Sequence, residues 1–234
     1  MKGYSNIPQL YQASLDIPMF EASGALVHDI SRQAALDKRM TLTGATIAWA
    51  NWPLSNTALV NFDATTPDRL ELAAAQSTDL NYQAGAFSGA VWVYPLNLAG
   101  ALRTIFCKGG TVDGWKFHVA GGNGAIYLST YQAATNQETL SAVGEVVLNT
   151  WYLLGFTRLA GAVKLFKNGV DVTLTPGAHV NPDSAAARDF HVGCVLAHAD
   201  GWAGYLWRPR LFSRQLSATE MKEIFEMERS LFGA

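Results

Sequence analysis

The sequence is short of charge, of cysteine and of long apolar runs. Charged residues make up 15% of its 234 positions, and 17 Lys+Arg against 19 Asp+Glu leave a net charge of −2. A protein that tracks a phosphate backbone carries a basic excess, so this balance argues against a nucleic-acid ligand. Two cysteines, Cys107 and Cys194, do not make a disulfide framework. Both sit in apolar runs, TIFCKG and HVGCVL, and read as small buried hydrophobes. A chain of this length buries most of its unfolded surface without staples. No run of about 18 apolar residues is present, which leaves no helical membrane span. The opening MKGYSNIPQLYQASLDIPMFEAS lacks the basic-then-apolar order of a secretory signal. Synthesis in a cytoplasm is therefore expected, with a virion or the cytoplasm itself as the final location.

What is present suits sheets and turns. Hydrophobic residues are 49%, glycine numbers 21, and there are 7 Trp, 8 Tyr and 11 Phe. Short apolar runs such as FSGAVWVYP (87–95), WKFHVA (115–120), WYLLGFTRL (151–159) and VKLFK (163–167) recur about every 10 to 15 residues, the spacing of an all-β sandwich. Asn168-Gly169 between VKLFK and VDVTL is a favoured two-residue hairpin turn. Ser217-Ala-Thr-Glu220 is a capping box that opens one amphipathic helix over 217–232, its stripe formed by Met221, Ile224, Phe225, Leu231 and Phe232. Residues 1–23 carry Pro8 and Pro18 and no helical period. They are expected to form an extended arm that lies on its own domain or on a neighbour, with Tyr4, Tyr11 and Phe20 as its docking residues.

Four segments, taken in order, resemble the laminin-G-like branch of the concanavalin A-like lectin/glucanase jelly rolls. They are FSGAVWVYPLN with TIFCKGG; GWKFHV with AIYLSTY; VVLNTWYLLGFTR with VKLFKNGVDV; and GYLWRPRLFSRQLSATE. The last keeps Gly204, Arg210, Phe212, Arg214, Leu216, Ser217 and Glu220 of the family ending, and VNFDATTPDRLELA resembles its strand entry. The resemblance implies a two-sheet antiparallel jelly-roll sandwich over 24–234, with the helix at its end and the arm outside.

It also implies which chemistry to look for. Glucanases of this fold carry period-2 carboxylates on one strand, where hydrolysis needs two carboxyl groups. No segment here has that pattern: Glu71 is alone on its strand, and Glu223, Glu226 and Glu228 fall on the helix, as a solvated face. The expectation is a protein that is not an enzyme. Relatives often hold Ca²⁺ on oxygen ligands. Asp63 and Asp68 match the early acidic positions, but Trp207 and Arg208 stand where the family has its late acids, so calcium is expected only at Asp63 and Asp68, if any cofactor is bound. Those two also fit simple turn chemistry around Thr65-Thr66-Pro67. His191, Cys194, His198 and Asp200 are metal-ligand types, but 191 and 194 point to opposite strand faces.

Aromatics are the remaining handle. Trp92, Trp115 and Trp151 are expected in the core. Trp49, Trp52, Trp202, Tyr205 and Trp207 are the candidates for a glycan or partner surface, with burial under the arm or helix as the alternative. The expected function is a structural or attachment module with a lectin-like outer face, of the kind that decorates a bacteriophage virion. Its partners would be virion subunits met through the arm, cell-surface glycans, and further copies of itself. A stand-alone lectin is the alternative, and a glycoside hydrolase the third reading.

Overall fold

The structure, a computed structural model, describes residues 12–31, 38–64, 68–195 and 200–234. In chain order its strands are β1 (Ala13–Asp16), β2 (Leu26–His28), β3 (Arg39–Thr43), β4 (Ala48–Trp52), β5 (Thr57–Phe62), β6 (Arg69–Leu72), β7 (Phe87–Pro95), β8 (Leu102–Gly109) and β9 (Gly114–Ala120). They continue with β10 (Ile126–Gln132), β11 (Thr135–Ser141), β12 (Tyr152–Leu159), β13 (Ala162–Lys167), β14 (Val170–Asp171), β15 (Thr173–Thr175), β16 (Phe190–Val192) and β17 (Gly204–Phe212), followed by helix α1 (Ala218–Glu228). An eight-stranded sheet runs β14-β13-β12-β7-β17-β5-β4, with β1 also pairing to β17; a nine-stranded sheet runs β15-β11-β10-β9-β8-β16-β6-β3-β2. All pairings among the described residues are antiparallel, giving the two-sheet sandwich that the strand spacing predicts.

Alternation along each strand decides what each sheet face carries. On β7, Phe87 packs on Phe156 of β12 and on Trp115 of β9, so this parity points between the sheets. Trp92, of the other parity, meets Phe225 of α1 and therefore lies on the outward face beneath the helix. Phe117, Phe106 and Phe190 complete an interior aromatic stack, and Trp92, Trp115 and Trp151 are buried as expected.

The hairpin Asn168-Gly169 sets the helix position as well as the strand register. Both residues have positive φ, 51° and 77°, as a type I′ turn requires. A Cβ on Gly169 would lie 2.6 Å from Lys222 Cα in α1. Gly169→Ala is expected to cost at least about 1–2 kcal/mol from the left-handed backbone alone, plus whatever the helix shift adds. A urea midpoint unchanged from the parent would count against this close approach.

Two expectations need correction. The sandwich begins before residue 24: residues 13–19 lie on their own domain, with β1 pairing to β17 and Ala13, Leu15, Ile17 and Met19 wholly buried. The polar residues between them are buried with partners, Ser14 on Tyr82 and Asp16 on Arg208, so this period-2 segment is covered on both faces. The helix is also shorter than expected and less wet. The capping box forms with Ser217 and Glu220, but the α-helix ends at Glu228 and tightens to a 3-10 turn over Arg229–Leu231. Glu228 is fully buried, not solvated, because two arginines of β17 meet it.

Candidate functional site

Four aromatic side chains meet on the outward face of the eight-stranded sheet. Trp52 closes β4, Tyr205 lies on β17, Tyr94 on β7, and Trp151 immediately precedes β12. The strand register places Tyr205 opposite both Tyr94 and Asn61. Ring centroids of Trp52 lie 5.2 Å from Tyr94, 5.3 Å from Trp151 and 6.5 Å from Tyr205. Tyr94 is in turn 5.4 Å from Trp151 and 5.9 Å from Tyr205. These tilted and edge contacts hold the rings in place. Trp52, Tyr94 and Tyr205 are half-buried and keep part of each ring in solvent, while Trp151 is buried and backs them. The indole Nε1 of Trp52, that of Trp151 and the Oδ1 of Asn61 are buried with no protein partner.

A cavity of about 300 Å³ adjoins this row at the end of the sheet, lined in part by Asn61, Asp63, Asn97 and Arg103. The Arg103 guanidinium is fixed there by the carbonyls of Asn97, Ala99 and Gly201. An apolar platform with a few fixed polar groups is the usual make-up of a small-ligand site. The exposed parts of the three rings can stack on a flat apolar ring face; the indole N–H groups and Asn61 Oδ1 are buried behind them.

The structure brings together only part of the set expected from sequence. Trp52 and Tyr205 share the row. Trp49 is half-buried but of the opposite parity, and its Nε1 donates to the Gly24 carbonyl at 2.8 Å, tying β4 to the loop before β2. Trp202 is wholly buried and Trp207 is 4% exposed, its edge on Phe232, so neither offers a ring face to a ligand. Tyr94 was not singled out from the sequence, although it stands two residues from Trp92 and must share its face. Phe20 is 70% exposed and borders a cavity of about 440 Å³ shared with Trp207 and Leu231. Tyr4 and Tyr11 lie outside the described residues.

The acidic candidates are engaged by protein. Asp68 is buried and accepts from the Thr46 hydroxyl at 2.7 Å and from the Asp63 amide at 3.0 Å. Calcium takes six to eight oxygens; here the Asp68 carboxylate already accepts from these protein donors. Arg208, where the family ending has an acid, joins Asp16 by two 3.0 Å bonds and Glu228 by another. Arg210 adds two bonds to Glu228, and Trp92 Nε1 donates to the same carboxylate at 2.9 Å. Cys194 is buried, and burial pushes its thiol up to about 12. His191 faces Glu71 at 3.7 Å, and His198 lies outside the described residues. Among the described residues no group of three or more His, Cys, Asp and Glu converges as metal ligands.

This architecture, two antiparallel sheets with a row of aromatic side chains on one outward face and a terminal helix, is that of a lectin-like jelly roll. The chain belongs to the concanavalin A-like lectin/glucanases superfamily, whose laminin-G-type pattern matches residues 70–222. No curated protein matches the sequence. Among solved structures, the botulinum neurotoxin serotype G binding domain superposes with a TM-score of 0.69 at 15% identity, over 92% of this chain and 51% of that one. A structure of botulinum neurotoxin type C, whose cell entry depends on interaction with two ganglioside molecules, gives 0.66 at 12% identity over 94% and 52%. The binding domain of botulinum neurotoxin DC in complex with rat synaptotagmin II gives 0.66 at 11% identity over 92% and 51%. The chain thus spans about half the length of these domains, and the likeness is one of fold.

Proposed function

We propose that the protein is a non-catalytic attachment module that recognises glycans through the Trp52, Tyr94 and Tyr205 row. The observation that carries this reading is the row itself: three half-exposed rings from three strands, braced by Trp151. The binding partners of the structural neighbours, gangliosides for one and a protein receptor for another, are consistent with a recognition role for this fold. The engagement of Asp16, Asp68 and Glu228 supports binding over hydrolysis, since a glycosidase needs two carboxyl groups free to flank the scissile bond.

The reading extends to a larger assembly, a bacteriophage virion in the first instance. Phe20, exposed beside its cavity, supports docking of the N-terminal segment on a neighbouring subunit or a further copy of this chain. A stand-alone lectin would use the same row without that docking.

A glycan array probed with the full chain tests the recognition step. Binding to at least one glycan is expected, and Trp52→Ala should weaken it at least tenfold, the scale of an aromatic hot spot. An array without hits, or a Trp52→Ala protein that binds as well as the parent, would remove the proposal.

A further inference from the structure

The outward face of the nine-stranded sheet carries a second polar constellation, unrelated to the Trp52 row. On β9, Trp115, Phe117 and Val119 fill the core, so Lys116 and His118 share the opposite face. In register, Cys107 and Ser129 flank Lys116, while Thr104 and Tyr127 flank His118. The His118 ring stacks on Tyr127 at 5.1 Å. His118 Nδ1 and Thr104 Oγ1 are buried and have no hydrogen-bond partner among the described residues. Lys116 is only 6% exposed. Its ammonium lies 5.9 Å from the Tyr131 ring and makes no ion pair among the described residues.

Buried polar groups are normally partnered, and a buried cation normally has an anion. Here His118 Nδ1 and Thr104 Oγ1 break the first rule among the described residues, and on the same face the Lys116 ammonium opens onto a cavity of about 330 Å³ with no ion pair among those residues. Lys116, Arg188, Asp200, Thr111, Val112 and Val195 line it. Arg188 is already paired with Asp113 at 3.2 Å, which leaves Lys116 as the cation available to a ligand. We propose that this cavity is a binding subsite for a carboxylate-bearing sugar residue, its carboxylate on the Lys116 ammonium. Each feature of the cavity selects that class. One unpaired cation asks for a single negative charge. Asp200 in the same wall repels a dianion such as sulfate and accepts from hydroxyl groups. Val112 and Val195 cover an apolar ring face, and the volume is at the small end for ligand sites, enough for a sugar residue. The inference deepens the glycan reading and rests on it for the class of ligand, but it uses none of the same residues.

The test is a titration of the full-length protein with glucuronate, glucuronate methyl ester and inorganic sulfate, read by backbone amide shifts of Val112, Lys116 and Val195. Glucuronate should shift these amides saturably, and the ester, which lacks the charge, should bind at least tenfold more weakly, with sulfate weaker still. Lys116→Gln and Lys116→Met should each erase the difference between acid and ester. Both should melt no lower than the parent, since they remove an unpaired buried charge. Trp52→Ala should leave glucuronate binding unchanged. Equal binding of acid and ester, tighter binding of sulfate, or retention of the preference in both Lys116 variants would overturn the proposal. Glucuronate binding that depends on Lys116 in a protein whose Trp52 row binds no glycan would remove the row reading and leave this one standing. A functional row with no Lys116-dependent preference would do the reverse.

Discussion

Glu228→Ala is expected to lower stability by about 3–5 kcal/mol, the cost of leaving buried charge uncompensated. Glu228 receives Arg208 at 3.0 Å, Arg210 at 2.9 and 2.8 Å, and Trp92 Nε1 at 2.9 Å, with no exposure of its side chain. Removing the carboxylate strands one guanidinium that is fully buried and takes one charged partner from another, which keeps Asp16. Glu228→Gln retains acceptor geometry for one donor but loses the charge, and should fall between the parent and the alanine variant. Urea denaturation followed by tryptophan fluorescence reads both. A loss below about 1 kcal/mol for Glu228→Ala would mean that the arginines relax to water, and the description of a sealed network would fail.

Acid should loosen the fold well before most carboxylates protonate. His179 is buried, with Nδ1 at 2.7 Å from the Thr130 hydroxyl and Nε2 at 2.9 Å from that of Thr139. Burial, and then the nearby Arg158 charge, pull its pKa down to about 4. Burial and Lys116 likewise hold His118 well below the ordinary imidazole value. The unfolded chain takes up these protons near pH 6.5, so it binds more of them than the folded chain across this window. Stability is therefore complete above about pH 6.5 and falls as the pH drops towards 4, by about 3 kcal/mol for His179 alone. Asp171 and Glu220, whose pKa values are lowered by Thr173 and Arg214 bonds among others, add their loss only below their own unfolded values. Melting temperatures at pH 7, 5.5 and 4 should decline steadily, and His179→Gln should flatten the slope. A flat profile in the parent between pH 6.5 and 4 would show that these imidazoles can be protonated in place.

Much of the architecture was legible because alternation and turn chemistry are local. VKLFKNGVDV predicts its hairpin from one dipeptide, and Ser217 with Glu220 predicts where the helix begins. The two misreadings have a common origin in partners far along the chain. Asp16 and Glu228 are charged residues that read as surface, yet each is neutralised by Arg208, 192 and 20 residues away. Ser14 likewise finds its buried partner far along the chain, in Tyr82. The aromatic row shows the same limit. Trp52 and Tyr205 were visible as surplus aromatics, but Trp202 and Trp207 look identical in sequence and are covered. What distinguishes them is strand pairing and the position of Phe232, neither of which a local pattern contains. Tyr94 could have been found from Trp92 by period 2 alone.

The pairing of β1 with β17 has a mechanical meaning. β17 carries Tyr205 in the recognition row, Arg208 in the link to Asp16, and Leu211 and Phe212 opposite β1. If the N-terminal segment is the tether and the row is the grip, tension enters through β1 and reaches the row along a single strand. The load is then borne by backbone bonds and a bidentate ion pair, without passing through a loop or the C-terminal helix. A module held this way can be pulled from its first residues while the geometry of its grip stays fixed.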